Sequence, residues 1–181
     1  MENNKEHKDL VDKVYAILLP VFGKDSIFIE GRCVGYIQIF DKSELKNGEM
    51  NRFKIARSDI MVFDDEGKPL LVVEPETSSS PKTFGRSIPI YTIAKRVIIK
   101  SEGKVIKSKK IESPLLLLIV IPEQKANSQK DVQLPDVENK IKMNVNTRDS
   151  NIKDFAICES NDLMPTLRRL FNNSKYSRFF D

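Results

Sequence analysis

Histidine, tryptophan and cysteine are scarce in this sequence. It contains one histidine, His7, no tryptophan and two cysteines, Cys33 and Cys158. Because His7 lies in an N-terminal segment that we expect to fray, a Ser-His-Asp triad, a Cys-His pair or a histidine zinc site is very hard to build. The cysteines are far apart and match no metal-binding spacing. We expect both thiols to be reduced and the protein to be cytoplasmic.

Long apolar runs and glycine-rich phosphate loops are also absent from the sequence. No stretch of about 18 apolar residues exists, so no membrane span is expected. The polar start, MENNKEHKDL, argues against a secretory signal peptide. Neither GxxxxGK(S/T) nor GxGxxG occurs, which removes the common nucleotide-binding motifs. If the protein is an enzyme, its chemistry must come from carboxylates, lysines and a hard metal ion.

The bulk composition is that of one globular domain. The chain has 181 residues, of which 40% are hydrophobic and 31% charged. This length is enough to bury a substantial core, and we treat residues 1–181 as a single domain. A net charge of +4 and a pI near 9.0 permit a polyanionic partner without requiring one.

Hydrophobic periodicity predicts the order α-β-β-β-β-α-β-β-β-α-β-α. Residues 8–22 have helical spacing, and PLLLLIVIP is a run short enough to be a strand covered on both faces. TSSSPKTFG predicts a loop, and residues 86–96 predict a short helix in which Tyr91 packs in the core. Asn161 is the predicted cap of a final helix over about residues 162–175. The pattern predicts an α/β fold with a mixed central β-sheet flanked by helices. The core spans about residues 8–122, followed by an α-β-α extension over 123–181.

The segment RFKIARSDIMVFDDEGKPLLVVEPE predicts a β-hairpin. The first strand is RFKIARSDIMVFD, residues 52–64, the turn is DDEGK with Gly67 available for a positive φ, and the second strand is PLLVVEPE. Counting back through the turn pairs Phe63 with Leu70 and Asp59 with Glu74. Cross-strand partners of this kind have Cβ atoms about 4.5–5.5 Å apart.

Three carboxylates therefore converge at one end of the predicted hairpin. Glu74 and Glu76 are two residues apart on a strand, so both project from the same face, and Asp59 stands opposite. Their mutual repulsion requires a neutralising cation. Mg²⁺ prefers oxygen ligands and leaves positions for water and phosphate, so Asp59, Glu74 and Glu76 are the predicted metal ligands. The alternative is a hairpin whose acids are only exposed to solvent at its open end.

The same segment resembles the core of the PD-(D/E)-x-K nuclease superfamily, which includes restriction endonucleases. That core runs helix, three strands, helix, strand, with Asp on the second strand and (D/E)-x-K on the third. On this pattern Ser58-Asp59 matches the "PD" and Glu74-Pro75-Glu76 the "E-x-K". The match covers about the first two-thirds of the chain.

The resemblance implies a restriction-endonuclease-like fold and a Mg²⁺-dependent endonuclease acting on double-stranded DNA, with Mn²⁺ able to substitute and a homodimer as in type II enzymes. Glu76 replaces the motif lysine, as in active E-x-E members, and would act as ligand or base. Lys82 is the nearest cation that could stand in for that lysine. Pro75 between the two acids predicts a bulge or a strand end, because proline has no amide hydrogen to donate to a neighbouring strand.

A second predicted hairpin, VIIKSEGKVIKSKKI, turns at Glu102-Gly103 and is rich in lysine. It has two equally supported interpretations: a ribbon that contacts DNA phosphates, or an edge hairpin that uses lysine to deter aggregation. The lysines concerned are Lys100, Lys104, Lys107, Lys109 and Lys110.

Two rival functions stay open beside the nuclease. The first is a catalytically inactive member of the same fold that serves as a DNA-binding or assembly subunit. The second is a different carboxylate-metal hydrolase acting on nucleotides or RNA, which the lack of a nucleotide-binding loop disfavours.

Overall fold

A computed structural model of the chain describes residues 2–46, 48–77, 81–124, 133–147, 150–172 and 174–180, without the side chains of 2–4, 81–83, 86 and 133. The helices are α1 (Glu2–Phe22), α2 (Met50–Phe53), α3 (Pro81–Thr92), α4 (Gln133–Asn144) and α5 (Leu163–Leu170), with 3₁₀ turns at Lys24–Ser26 and Ser177–Phe180. The strands are β1 (Ile27–Ile29), β2 (Tyr36–Phe40), β3 (Lys54–Arg57), β4 (Ile60–Phe63), β5 (Pro69–Pro75), β6 (Arg96–Ser101), β7 (Lys104–Lys110), β8 (Leu115–Ile121) and β9 (Ile152–Glu159).

The strands form two sheets. The central sheet has the order β1-β4-β5-β8-β9, in which β1, β4 and β5 pair antiparallel while β5, β8 and β9 pair parallel. The second sheet has the order β3-β2-β6-β7 and is antiparallel throughout. The predicted α/β class with a mixed central sheet flanked by helices is confirmed, and the second sheet is an addition that the sequence pattern did not indicate.

Strand β8 lies at the heart of the central sheet. All seven of its residues are buried, as the continuous apolar run predicted. It pairs in parallel with β5 on one side and with β9 on the other. A strand with two parallel neighbours and both faces covered cannot alternate polar and apolar residues.

The two faces of the central sheet are covered by different elements. On one face α1 and α5 pack through Val14, Leu18 and Leu167. On the other face α3 and α4 pack together with the second sheet, which contributes Ile37 and Val97. The three predicted acids lie at one end of this sheet: Asp59 directly before β4, and Glu74 and Glu76 at the end of β5.

The predicted single strand over residues 52–64 is wrong: it divides into β3 and β4, which belong to different sheets. The change of partner falls between Ser58 and Asp59. The Ser58 amide donates to the Ile37 carbonyl of β2 at 3.0 Å, whereas the Asp59 carbonyl accepts from the Glu30 amide next to β1 at 2.9 Å. The Ser58 hydroxyl donates to the Ile60 carbonyl at 3.1 Å. Asp59 therefore stands at a junction, outside any regular strand.

The β4–β5 hairpin has the predicted turn, with Gly67 at φ +73° and its amide donating to the Asp64 carbonyl at 2.9 Å. Ile60 pairs with Val73, which is the predicted register. The predicted pairing of Phe63 with Leu70 is wrong, because a β-bulge between Val62 and Phe63 moves Phe63 opposite Pro69.

Helix boundaries differ from the predicted ones at several ends. Helix α1 begins at Glu2 rather than near residue 8 and contains Pro20. Helix α3 begins at Pro81, inside the predicted loop. The last helix has Asp162 instead of Asn161 at its N-cap position, without a capping hydrogen bond from the side chain, and ends at Leu170. None of the helices in the described ranges is long and apolar enough to span a bilayer.

The central position of β8 leads to a stability prediction. Leu118→Ala removes a fully buried side chain, so we expect the free energy of unfolding to fall by about 2–5 kcal/mol in urea titrations. Val105→Ala on the half-exposed strand β7 is the control and should cost less than about 1 kcal/mol. Equal losses for the two variants would contradict the assignment of β8 as the core strand.

Candidate carboxylate site

The three predicted acids lie at one end of the central sheet. Asp59 directly precedes β4, and Glu74 is the next-to-last residue of β5, which ends at Pro75. Because Ile60 pairs with Val73, the next position along the hairpin brings Asp59 towards Glu74. The Glu76 amide donates to the Val120 carbonyl at 2.7 Å, which keeps Glu76 anchored beside β8. The strand end expected at Pro75 is confirmed.

Glu74 is the most deeply buried acid of the site, with a relative exposure of 8%. Burial raises the pKa of its carboxyl well above the ordinary value, and the negative charge of Asp59 raises it further. The hydrogen bond from the Tyr91 hydroxyl acts in the opposite direction and lowers the pKa without cancelling this effect. Burial and the charge of Asp59 therefore both disfavour the charged form of Glu74.

Glu76 is half-buried and responds to the same neighbour. Burial raises the pKa of its carboxyl, the charge of Asp59 raises it again, and His7 lowers it. The charge of Asp59 thus acts on both glutamates, so the three acids share one electrostatic environment. A glutamate whose pKa is raised towards neutrality is a better proton acceptor at physiological pH than an ordinary surface glutamate.

Tyr91 is a site residue that the sequence pattern identified only as core packing. Its phenol donates a hydrogen bond to Oε1 of Glu74. The side chain is 2% exposed, and burial together with the charge of Glu74 raises the pKa of the phenol well above its ordinary value. Phe84, Ile88 and Tyr91 share a buried face of α3 at helical spacing, so the sequence indicated the burial of Tyr91 but not its polar contact.

His7 was expected in a frayed segment, and that expectation is wrong. It lies within α1, and its Nε2 is 3.3 Å from Oδ2 of Asp59. A signal for this position was available: His7 precedes Leu10, Val11 and Val14 by three, four and seven residues, so it continues the buried face of α1. The imidazole can offset part of the charge of Asp59.

The predicted metal site of Asp59, Glu74 and Glu76 stays a prediction. Within the part of the chain that the structure describes, no group of three or more His, Cys, Asp or Glu residues is arranged so that it could hold a metal ion. The Tyr91 hydrogen bond to Glu74 and the contact of His7 with Asp59 reduce the repulsion between these acids. Mg²⁺ is usually bound by one or two carboxylates, with water and substrate phosphate completing the octahedron. Asp59 and Glu74 fit that smaller donor set.

The lysines proposed for DNA contact do not share one environment. They lie on β6 and β7, whose turn at Glu102-Gly103 is confirmed, and β7 is an edge strand. The Lys107 ammonium lies 3.9 Å from the Phe63 ring centroid, and burial lowers its pKa. Lys110 pairs with Glu44 at 2.8 Å. Lys104 and Lys109 are exposed, and Lys100 is half-buried. The side chain of Lys82 lies outside the described residues.

Comparisons of the chain with protein-family models, with curated proteins and with solved structures found no match. The functional interpretation therefore depends on the chemistry of the residues that the fold brings together.

The buried carboxyl of Glu74 leads to a prediction about pH. A raised pKa means that the folded state holds its proton above pH 4.5, the ordinary value, so stability falls as pH rises from there through the pKa of the folded state. Glu74→Gln keeps an oxygen to accept from Tyr91 and has no charge to bury. We expect the Tm of Glu74→Gln to equal that of the native protein near pH 4 and to exceed it at pH 8.

Thermal unfolding across this pH range measures the effect, with Glu112→Gln, an exposed glutamate, as the control that should follow the native protein at every pH. A constant difference between Glu74→Gln and the native protein at all pH values would contradict the burial of an ionisable group at residue 74.

Proposed function

We propose that this protein is a Mg²⁺-dependent endonuclease that hydrolyses phosphodiester bonds in double-stranded DNA. The observation that carries the proposal is that the register of β4 and β5 brings Asp59 towards Glu74 and Glu76 at the end of a buried strand, where its charge acts on both glutamates. Sites that perturb several carboxylates together are typical of catalytic centres. With one histidine in the chain, carboxylate and metal chemistry is the route left open for hydrolysis.

Each acid has a defined role in this proposal. Asp59 and Glu74 would hold the metal, which when bound supplies a polarised phosphate and a water of lowered pKa. A cation at these acids would favour the ionised form of Glu74, against the effect of burial. Glu76 is half-buried and stands where the superfamily has lysine; its raised pKa suits it to accept a proton from the attacking water.

The order of elements is consistent with the proposal. Helix α1, strands β1, β4 and β5, helix α3 and strand β8 follow one another in the sequence helix, three strands, helix, strand that the resemblance implies. The second sheet consists of two insertions into this order, β2–β3 and β6–β7. A type II restriction enzyme acting as a homodimer remains the finer form of the proposal, with Lys82 as the candidate for the missing lysine and Mn²⁺ as a substitute metal.

The proposed cellular setting is the cytoplasm. Cys33 is exposed and Cys158 is buried, and both are free thiols. Free thiols suit a reducing compartment.

One set of observations favours a second candidate, a catalytically inactive nuclease-fold subunit that binds DNA or a partner protein. Glu76 replaces the motif lysine, and Glu74 has its charge suppressed by burial and its Oε1 engaged by Tyr91. A buried, hydrogen-bonded acid of this kind can contribute to the stability of the fold without any role in catalysis. The two candidates differ in one measurable property, which is hydrolysis.

Plasmid cleavage separates the candidates. We expect relaxed and linear products in Mg²⁺ and none in EDTA. Glu74→Ala should lower the cleavage rate by at least about 100-fold, because even residues that only orient metal ligands contribute about 10–100-fold. Glu66→Ala, in the exposed turn before β5, is the matched control and should keep full activity.

Intact cleavage by Glu74→Ala would exclude this site. Retarded DNA mobility without cleavage in any divalent metal would exclude the nuclease in favour of the inactive subunit.

The β6–β7 hairpin gives a separate prediction about DNA affinity. Each lysine that contacts a phosphate contributes about 0.9 to the slope of log affinity against log salt concentration. The double variant Lys104→Ala/Lys109→Ala should reduce that slope by about 2, measured by fluorescence anisotropy on a DNA duplex. Lys153→Ala, exposed on β9, should leave the slope unchanged. An unchanged slope in the double variant would assign these lysines to protection of the sheet edge.

A further inference from the structure

Tyr91 holds one oxygen of a buried carboxylate in place. Its phenol donates to Oε1 of Glu74, and both side chains are at least nine-tenths buried. A carboxylate bonded through Oε1 keeps Oε2 for another partner, and Asp59 is the acid whose charge acts on this carboxyl most strongly. The hydrogen bond therefore fixes how Glu74 presents its second oxygen.

The backbone that carries Tyr91 is itself firmly held. The Thr92 hydroxyl donates to the Pro89 carbonyl at 2.6 Å, and the Asn151 amide donates to the Thr92 carbonyl at 2.9 Å, which ties the end of α3 to the segment before β9. Phe84 and Ile88 anchor the same face of the helix in the core. A donor on such a rigid element restricts the rotation of its acceptor more than a donor on a loop would.

The direction of the Tyr91 hydrogen bond favours a bound cation. The phenol donates to Glu74, and a donor to a carboxyl stabilises its ionised form. A carboxyl group must be ionised to bind a metal. The donor therefore orients Glu74 in the form that a cation needs.

We infer that Tyr91 is a positioning residue for Glu74, which it orients and prepares for a divalent cation shared with Asp59. This inference rests on the proposed function, because it assumes that a cation binds at these acids. Tyr91 touches neither substrate nor metal and acts only through Glu74. Residues in such a position typically change metal affinity by about 10–100-fold.

Binding of Mn²⁺, followed by the electron paramagnetic resonance signal of the free ion, tests the inference without any reference to activity. Tyr91→Phe keeps the ring and removes the donor, and we expect its dissociation constant for Mn²⁺ to rise about 10–100-fold. Tyr176→Phe is the matched control, because the Tyr176 phenol also donates to a carboxylate, Asp65, at 3.1 Å; this variant should bind like the native protein. Glu74→Gln removes a proposed metal ligand, so its Mn²⁺ titration shows the result expected when the site is lost.

A packing control separates the hydrogen bond from the general integrity of α3. Phe84→Leu disturbs the same buried face without touching the Glu74 contact. Circular dichroism checks that each variant is folded before titration. If Phe84→Leu weakens Mn²⁺ binding as much as Tyr91→Phe does, the effect is one of packing and the inference is overturned.

Terbium luminescence supplies a spectroscopic signature at the same position. The chain has four tyrosines and no tryptophan, so sensitised Tb³⁺ emission must come from tyrosine. At saturating Tb³⁺, Tyr91→Phe should lose most of the emission and Tyr176→Phe should keep it. Emission that persists in Tyr91→Phe would place the ion elsewhere and overturn the inference.

The outcomes distinguish the inference from the proposed function. If the native protein binds Mn²⁺, Glu74→Gln does not, and Tyr91→Phe binds as tightly as the native protein, the inference fails while the metal site stands. If the native protein does not bind Mn²⁺, with DNA present or absent, the proposed function fails and the positioning role falls with it.

Discussion

A carboxyl group buried at the end of β5 beside a second acid is the constraint that organises this site. A charged carboxylate in an apolar surrounding must be protonated, hydrogen-bonded or paired with a cation. The structure meets this demand with the Tyr91 phenol, which donates to Glu74, and with His7 next to Asp59. A divalent cation shared by Asp59 and Glu74 would meet the same demand.

Asp59 lies beside the two glutamates because it stands at the junction between the two sheets. Ser58 completes the hydrogen bonding of β3 to β2, and Asp59 begins the pairing of the next segment with the region of β1. Had the strand continued, as the sequence pattern suggested, residues 57 to 60 would alternate regularly across a single sheet. The break frees Asp59 from that alternation, so it can interact with both glutamates and with His7.

Sequence patterns predicted the features that depend on near neighbours. The apolar run of β8, the turn at Gly67 and the register of Ile60 with Val73 follow from local periodicity and turn chemistry. The contacts that complete the site join residues far apart: His7 and Asp59 are 52 positions apart, and Tyr91 and Glu74 are 17 apart. The sequence could not predict the division of β3 from β4, because an alternation of apolar residues does not show which sheet a strand joins.

A crystal of the protein soaked in Mn²⁺ tests the central claim most directly, because the anomalous signal locates the ion. The account predicts one strong anomalous peak at coordination distance from carboxylate oxygens of Asp59 and Glu74, with the Tyr91 phenol still on Oε1 of Glu74. An empty site with Glu74 unchanged at high Mn²⁺ concentration, or a peak bound to other residues alone, would contradict it.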